Sequence, residues 1–215
     1  MLGKSLVKQA AIHYNSPLCH RFPAMLATLP RITPPIVIET DRLILRPWQD
    51  RDRAPFAAMN ADPQVMEFFP SLCTREQSDG IATRLQQHNQ DWGWSFWATE
   101  LRASGEFIGF IGLQVPNPAV PFYPCVEVGW RLGREHWGHG YATEGARASL
   151  TFGFGQLHLA EILAFVAVEN QRSRAVMDRL GMTDQQQNFI HPMVTPEARY
   201  QSHCLYRIKA EEWSA

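Results

Sequence analysis

The chain has 215 residues, 45% of them hydrophobic and 19% charged, with a formal net charge of −1. That length suits one domain with a sizeable core. The near-neutral sum gives no electrostatic case for nucleic acid or an anionic membrane as the main partner, and no run reaches the ~18 apolar residues of a membrane span. The cysteines, Cys19, Cys73, Cys125 and Cys204, are far apart and form no CxxC pair. Neither a metal site nor a disulfide framework is indicated, and a reducing, cytoplasmic setting is the expectation.

Residues 1–35 carry several prolines, end in "LPRITPP" and show no sustained period. They read as a poorly ordered arm ahead of a domain at 36–215, with Met25 as an alternative start. They also lack the continuous apolar run of a secretory signal. "IVIETDRLILRPW" alternates, Leu43 and Leu45 against Arg42, Ile44 and Arg46, and reads as one half-buried strand. "QDRDRAPFAAMN" has helical composition. "TREQSDGIATRLQQHNQDW" is a stronger helix, with Thr74 and Gln77 at capping-box spacing and Ile81, Leu85 and Trp92 on one stripe.

"WSFWATELRASGEFIGFIGLQV" reads as two strands around the turn Ala103-Ser104-Gly105, and Gly109 and Gly112 predict a bulge or a close approach. A proline-rich loop follows, then the strand "CVEVGWRL". Ala142, Ala146, Leu150 and Phe154 mark one helical face, and "EILAFVAV" a strand buried on both sides. "NQRSRAVMDRLGM" is a helix with Asn170 as N-cap and Gly181 just past its end. "QNFIHPM" and "SHCLYRIKA" are the last strands. The order predicts an α/β fold of the α+β type, a mixed sheet with helices on its faces.

The segment "REHWGHGYATEG" carries the chemistry. Gly138 and Gly140 stand just before a helix. The first turn of a helix presents backbone N–H groups with no partner at the positive end of the dipole, a ready anion site. Glycines let a phosphate approach the backbone, and Arg134 and His139 offer further donors. The P-loop pattern is absent, and the dinucleotide pattern fails at Thr143.

"VEVGWRLGREHWGHGYATEG" resembles the strand and loop of the GNAT acetyltransferase family, in particular its RimJ/RimL-like branch of ribosomal-protein-alanine acetyltransferases. Trp137 to Glu144 match the aromatic-Gly-x-Gly-Tyr-Ala-Thr-Glu of that branch, although Glu135 stands where the family loop has Gln or Arg. "ETDRLILRPW", "GFIGL", "NQRSRAVMDRLGM" and "HCLYRIKAEEW" resemble further segments, so the likeness runs from Ile36 to Trp213.

The resemblance implies one mostly antiparallel sheet with a splayed parallel pair around Val128 and Phe165. It implies acetyl-CoA as cosubstrate, without metal, and an amine acceptor. The diphosphate of the cosubstrate is expected on Trp137, Gly138, His139, Gly140, Tyr141, Ala142 and Thr143, with Arg134 beside them. Its pantetheine arm is expected along Val128 and Gly129 and near Asn170. Glu127 is the candidate general base, its alternative reading a surface carboxylate paired with Arg131 or another arginine, and Ser173 is the candidate proton donor to the thiolate. His191 and His203 lie on strands bordering the acceptor in the family, and a structural role suits them better. Dimers are common in the family, so a homodimer is a further expectation. The rival readings are a non-catalytic acyl-CoA-binding module and a nucleotide-phosphate binder.

Overall fold

The computed structural model describes residues 29–194 and 200–214. In chain order the elements are β1 (Ile38–Glu39), β2 (Leu43–Arg46), α1 (Arg53–Asn60), α2 (Arg75–Trp92), β3 (Phe96–Leu101), β4 (Phe107–Gln114), β5 (Glu127–Leu132), α3 (Tyr141–Gly155), β6 (Glu161–Ala167), α4 (Gln171–Arg179), β7 (Thr183–Ile190) and β8 (Ser202–Lys209). The strands form one sheet in the order β1-β2-β3-β4-β5-β6-β8-β7. Every neighbouring pair is antiparallel except β5 with β6. The expected mixed sheet and its parallel pair are therefore present.

Helices cover both faces, as strand alternation requires. Leu43, Leu45, Trp97, Ile111, Leu113, Val126 and Val128 pack with Ala146, Leu150 and Phe152 of α3 and Val176 and Met177 of α4. On the opposite face Ala98 and Phe110 pack with Phe56 and Met59 of α1 and Ala82 and Leu85 of α2. Arg46 leaves the core pattern for a reason: its guanidinium forks onto Asp52 at 2.8 Å and meets Glu100 at 2.7 Å, which joins β2 to the turn before α1. A buried cation needs such partners.

Two features differ in detail from the sequence reading, and a third agrees with it. The single strand expected from Ile36 to Trp48 is broken at Thr40, whose hydroxyl accepts from the Leu43 N–H at 2.9 Å and turns the chain. Leu29 is buried before the predicted boundary at Ile36. Ile32 N–H donates to the Trp92 carbonyl at 2.9 Å, and Trp94 Nε1 donates to the Pro30 carbonyl at 3.3 Å. Packing against the domain thus starts within the segment read as an arm, and residues 1–28 lie outside the described residues. The glycines of β4 answer a close approach: a Cβ on Gly109 would stand 2.1 Å from the Arg131 carbonyl oxygen, and one on Gly112 2.3 Å from that of Ser95. A bulge is also present, because Thr99 pairs with Gly109 but Glu100 with Phe107.

Candidate functional site

β5 and β6 touch and then part. Their ladder holds one residue pair, Glu127 with Leu163, next to a bond from Leu163 N–H to the Val126 carbonyl at 3.0 Å. Past that point the two strands run without pairing, and a cleft of about 1280 Å³ opens there. Its walls include Val128 and Gly129 of β5, Phe165 and Val166 of β6, the loop and first turn of α3, and the start of α4. Gln64, Val65, Phe68 and Phe69, from the segment between α1 and α2, close it from the other side.

The loop into α3 has the backbone that the glycines predict. Gly138 and Gly140 sit at φ +78° and +81°, a conformation that costs an L side chain ~1–2 kcal/mol. Gly140 is the N-cap of α3, and no side-chain oxygen caps the helix. The first helical amide with a backbone acceptor is Glu144, bonded to the Gly140 carbonyl at 3.0 Å. Among the described residues nothing caps the amides of Tyr141, Ala142 and Thr143, so the first turn faces the cleft with its donors open. Trp137 differs, because its amide already bonds the Arg134 carbonyl at 3.1 Å. Its indole Nε1 is tied to the Leu132 carbonyl at 2.9 Å, and its ring lines the cleft.

Glu127 stands where the strand pair closes, half-buried in the cleft wall. Burial pushes its carboxyl up to about 8. Among the described residues it makes no ion pair with Arg131 or with another arginine, so that alternative is not what the fold provides. Arg131 Nη1 donates instead to Asn60 Oδ1 at 2.7 Å, and its guanidinium lies 3.9 Å from the Phe69 ring centre. Four residues of strand, about 13 Å, separate the two positions.

Asn170 and Ser173 reach the same cleft from α4. Asn170 Oδ1 accepts the Ser173 N–H at 3.1 Å, so the N-cap read from the sequence is present and its residue also faces the site. Val128 is buried and lines the cleft. Gly129 lines it too, but its missing side chain has a second cause: a Cβ there would stand 2.8 Å from Phe96 Cζ. Arg134 and His139 do not line the cleft. The first pairs with Asp62 at 3.7 Å and the second stacks on Tyr141 with ring centres 5.5 Å apart.

His191 and His203 pack ring to ring at 4.7 Å beside Phe165 and Phe189. Burial, and then the neighbouring His203, push His191 down to about 4, and burial lowers His203. A neutral pair suits the structural role expected of them. Sequence reasoning missed several arginines of the cleft, Arg172 and Arg42 among them. Arg172, inside the Asn170–Ser173 segment, lies 4.5 Å over the Trp137 ring and pairs with Glu67 at 2.7 Å, bridging the two sides of the mouth. Arg42, read as a strand residue, reaches the α3 loop from the turn after β1. The first was findable from its motif, while nothing local marks the second.

Comparison with known proteins agrees with this fold. Residues 42–183 match the family described as Acetyltransferase (GNAT) domain. The uncharacterized protein YkkB of Bacillus subtilis is 35% identical over 147 residues, covering 66% of this chain and 83% of that protein. FsC-acetyl coenzyme A-N(2)-transacetylase of Aspergillus fumigatus is 32% identical over 183 residues, 82% of this chain and 77% of its own length. Among solved structures, Mycobacterium smegmatis RimJ in complex with CoA-disulfide superposes with a TM-score of 0.66 at 24% identity, covering 84% of this chain and 90% of that one.

Proposed function

The chain belongs to the GNAT acetyltransferase family and is an acetyl-CoA-dependent acyltransferase, and from that premise we propose that it acetylates a primary amine, a protein N-terminus or a small molecule, by direct attack without a covalent enzyme intermediate. One observation carries this reading: an uncapped helix start and a parted strand pair open onto one cleft, with Glu127 where the strands meet. The residues fit coenzyme A. The amides from Gly138 to Thr143 suit a diphosphate. Val128, Gly129 and Asn170 suit the pantetheine arm, and Trp137 and Tyr141 wall the loop.

Acetyl-CoA supplies the activated acetyl thioester. Glu127 takes the proton of the acceptor amine, directly or through water, and a carboxyl near 8 is close to the working pH at which a general base is most effective. A β5 amide at Val128 or Gly129, past the last pair with β6, donates a hydrogen bond where negative charge grows. As the C–S bond breaks, the Ser173 hydroxyl passes a proton to the departing thiolate and regains one from water.

Trp137 to Glu144 support a place in the RimJ/RimL-like branch, and the cysteine usage supports a cytoplasmic setting. The deciding experiment combines calorimetry with acetyl-CoA and a thiol-release assay across N-terminal peptides and small amines. Micromolar binding, with thiol release only when an amine is present, is expected. Binding with no release from any acceptor would leave a non-catalytic acyl-CoA module, and competition by ATP or NAD but not CoA would leave a nucleotide binder.

A further inference from the structure

Acetyl transfer does not explain a carboxylate placed one turn inside the helix whose start is left open for an anion. Glu144 follows Thr143 directly, and a negative charge there opposes a second anion at the same helix end. The chain answers from the turn between β1 and β2. Thr40 Oγ1 donates to Glu144 Oε1 at 2.6 Å, Arg42 N–H to the same oxygen at 2.9 Å, and Arg42 Nε to Oε2 at 2.6 Å. Burial alone would raise the Glu144 pKa, but these bonds and the Arg42 charge outweigh it and hold the group below the usual carboxylate range.

The same guanidinium also holds the loop. Arg42 Nη1 donates to the His139 carbonyl at 2.9 Å, and the guanidinium carbon lies 4.8 Å over the Tyr141 ring. The peptide between His139 and Gly140 is trans, so its carbonyl and N–H point in opposite directions. Fixing the first fixes the second. One arginine thus touches the residue before the N-cap, the first helical residue and the carboxylate one turn in.

We propose that Arg42 is a positioning residue for the anion loop, acting through Glu144 and the His139 carbonyl: it cancels the carboxylate's charge and sets the Gly140 amide. The proposal rests on reading that loop as the diphosphate site. Its test compares two acetyl donors, acetyl-CoA and S-acetylpantetheine, of which only the first carries the diphosphate. In Arg42→Gln the KM for acetyl-CoA should rise about tenfold, the effect of one lost charge-assisted contact. Both kcat and the KM for S-acetylpantetheine should stay within about twofold of wild type.

Arg42→Lys, which keeps the charge but not the fork, should recover part of the loss. An equal loss with both donors means that Arg42 only supports the fold, and overturns the proposal. Adding Glu144→Gln to Arg42→Gln separates positioning from direct binding. The double variant has no carboxylate charge left to cancel, so its KM for acetyl-CoA should fall back part of the way to wild type; a double variant as impaired as Arg42→Gln means that the arginine binds the diphosphate itself, and overturns the proposal. A wild-type enzyme that uses both donors equally well removes the diphosphate reading and this proposal with it, while amine acetylation itself would stand.

Discussion

Two helix starts in this molecule face the same physical problem and solve it in opposite ways. At α2, Thr74 accepts from the Gln77 N–H while the Gln77 side chain returns a bond to the Thr74 N–H, at 3.2 and 2.8 Å. At α3 the N-cap is Gly140, and the first-turn amides are left without protein partners among the described residues. The surroundings differ in the same sense. α2 packs on the closed half of the sheet, where β2, β3 and β4 pair along their length, whereas α3 begins beside the gap between β5 and β6. Where a helix start is capped by its own chain it contributes stability; where it is left open it offers binding.

Substitutions test that contrast from both ends. The largest effect belongs to the open half. Glu127→Gln should lower kcat by ~10²–10⁴-fold, the range for a general base, and remove the rise of kcat/KM with pH through about 8. An unchanged kcat with a competent acceptor would remove Glu127 as the base. The same variant should not weaken the fold. The raised carboxyl means that the native state holds a proton which the unfolded chain releases above its ordinary pKa. That contribution is fully present at low pH and is lost as pH climbs through about 8. Glu127→Gln should therefore gain melting temperature over wild type at pH 9 and little at pH 4.

Next in size is Gly138→Val, a position with open space but φ +78°. The KM for acetyl-CoA should rise about tenfold or more, because the side chain holds a phosphate off the backbone, with roughly 1–2 kcal/mol lost in stability from the left-handed backbone. The smallest effect is expected at the capped start. Thr74→Ala should cost ~1 kcal/mol in denaturant unfolding and leave the KM unchanged. A KM shift there would show that the two helix starts are not separable after all.

The parts of this contrast that were legible in the sequence are the local ones. A capping box spans four residues, and Gly138 and Gly140 carry their meaning in their own spacing ahead of an apolar period. Asn170 was readable both as a cap and, by resemblance, as a cleft residue. What stayed hidden depends on distant chain. The break at Thr40 did leave a local mark that the single-strand reading passed over: four polar residues, Glu39 to Arg42, shift the apolar parity from Ile36 and Ile38 to Leu43 and Leu45. The docking of Leu29, Pro30 and Ile32 on Trp92 and Trp94 leaves no periodic trace, since it runs through single hydrogen bonds and prolines. Arg42 looked like the polar side of a strand, and its partners lie about a hundred residues on.

The ring of Phe96 lies against Gly129, where a Cβ would meet it at 2.8 Å, and stacks on Phe110 with centroids 5.0 Å apart. These two positions, on strands separated by β4, therefore share one volume and change together or not at all. A methyl added at 129 has to be met by a shift or a smaller side chain at 96, and that exchange would reshape the β5 wall of the cleft. A change at one position alone leaves either an overlap or a void beside the cleft.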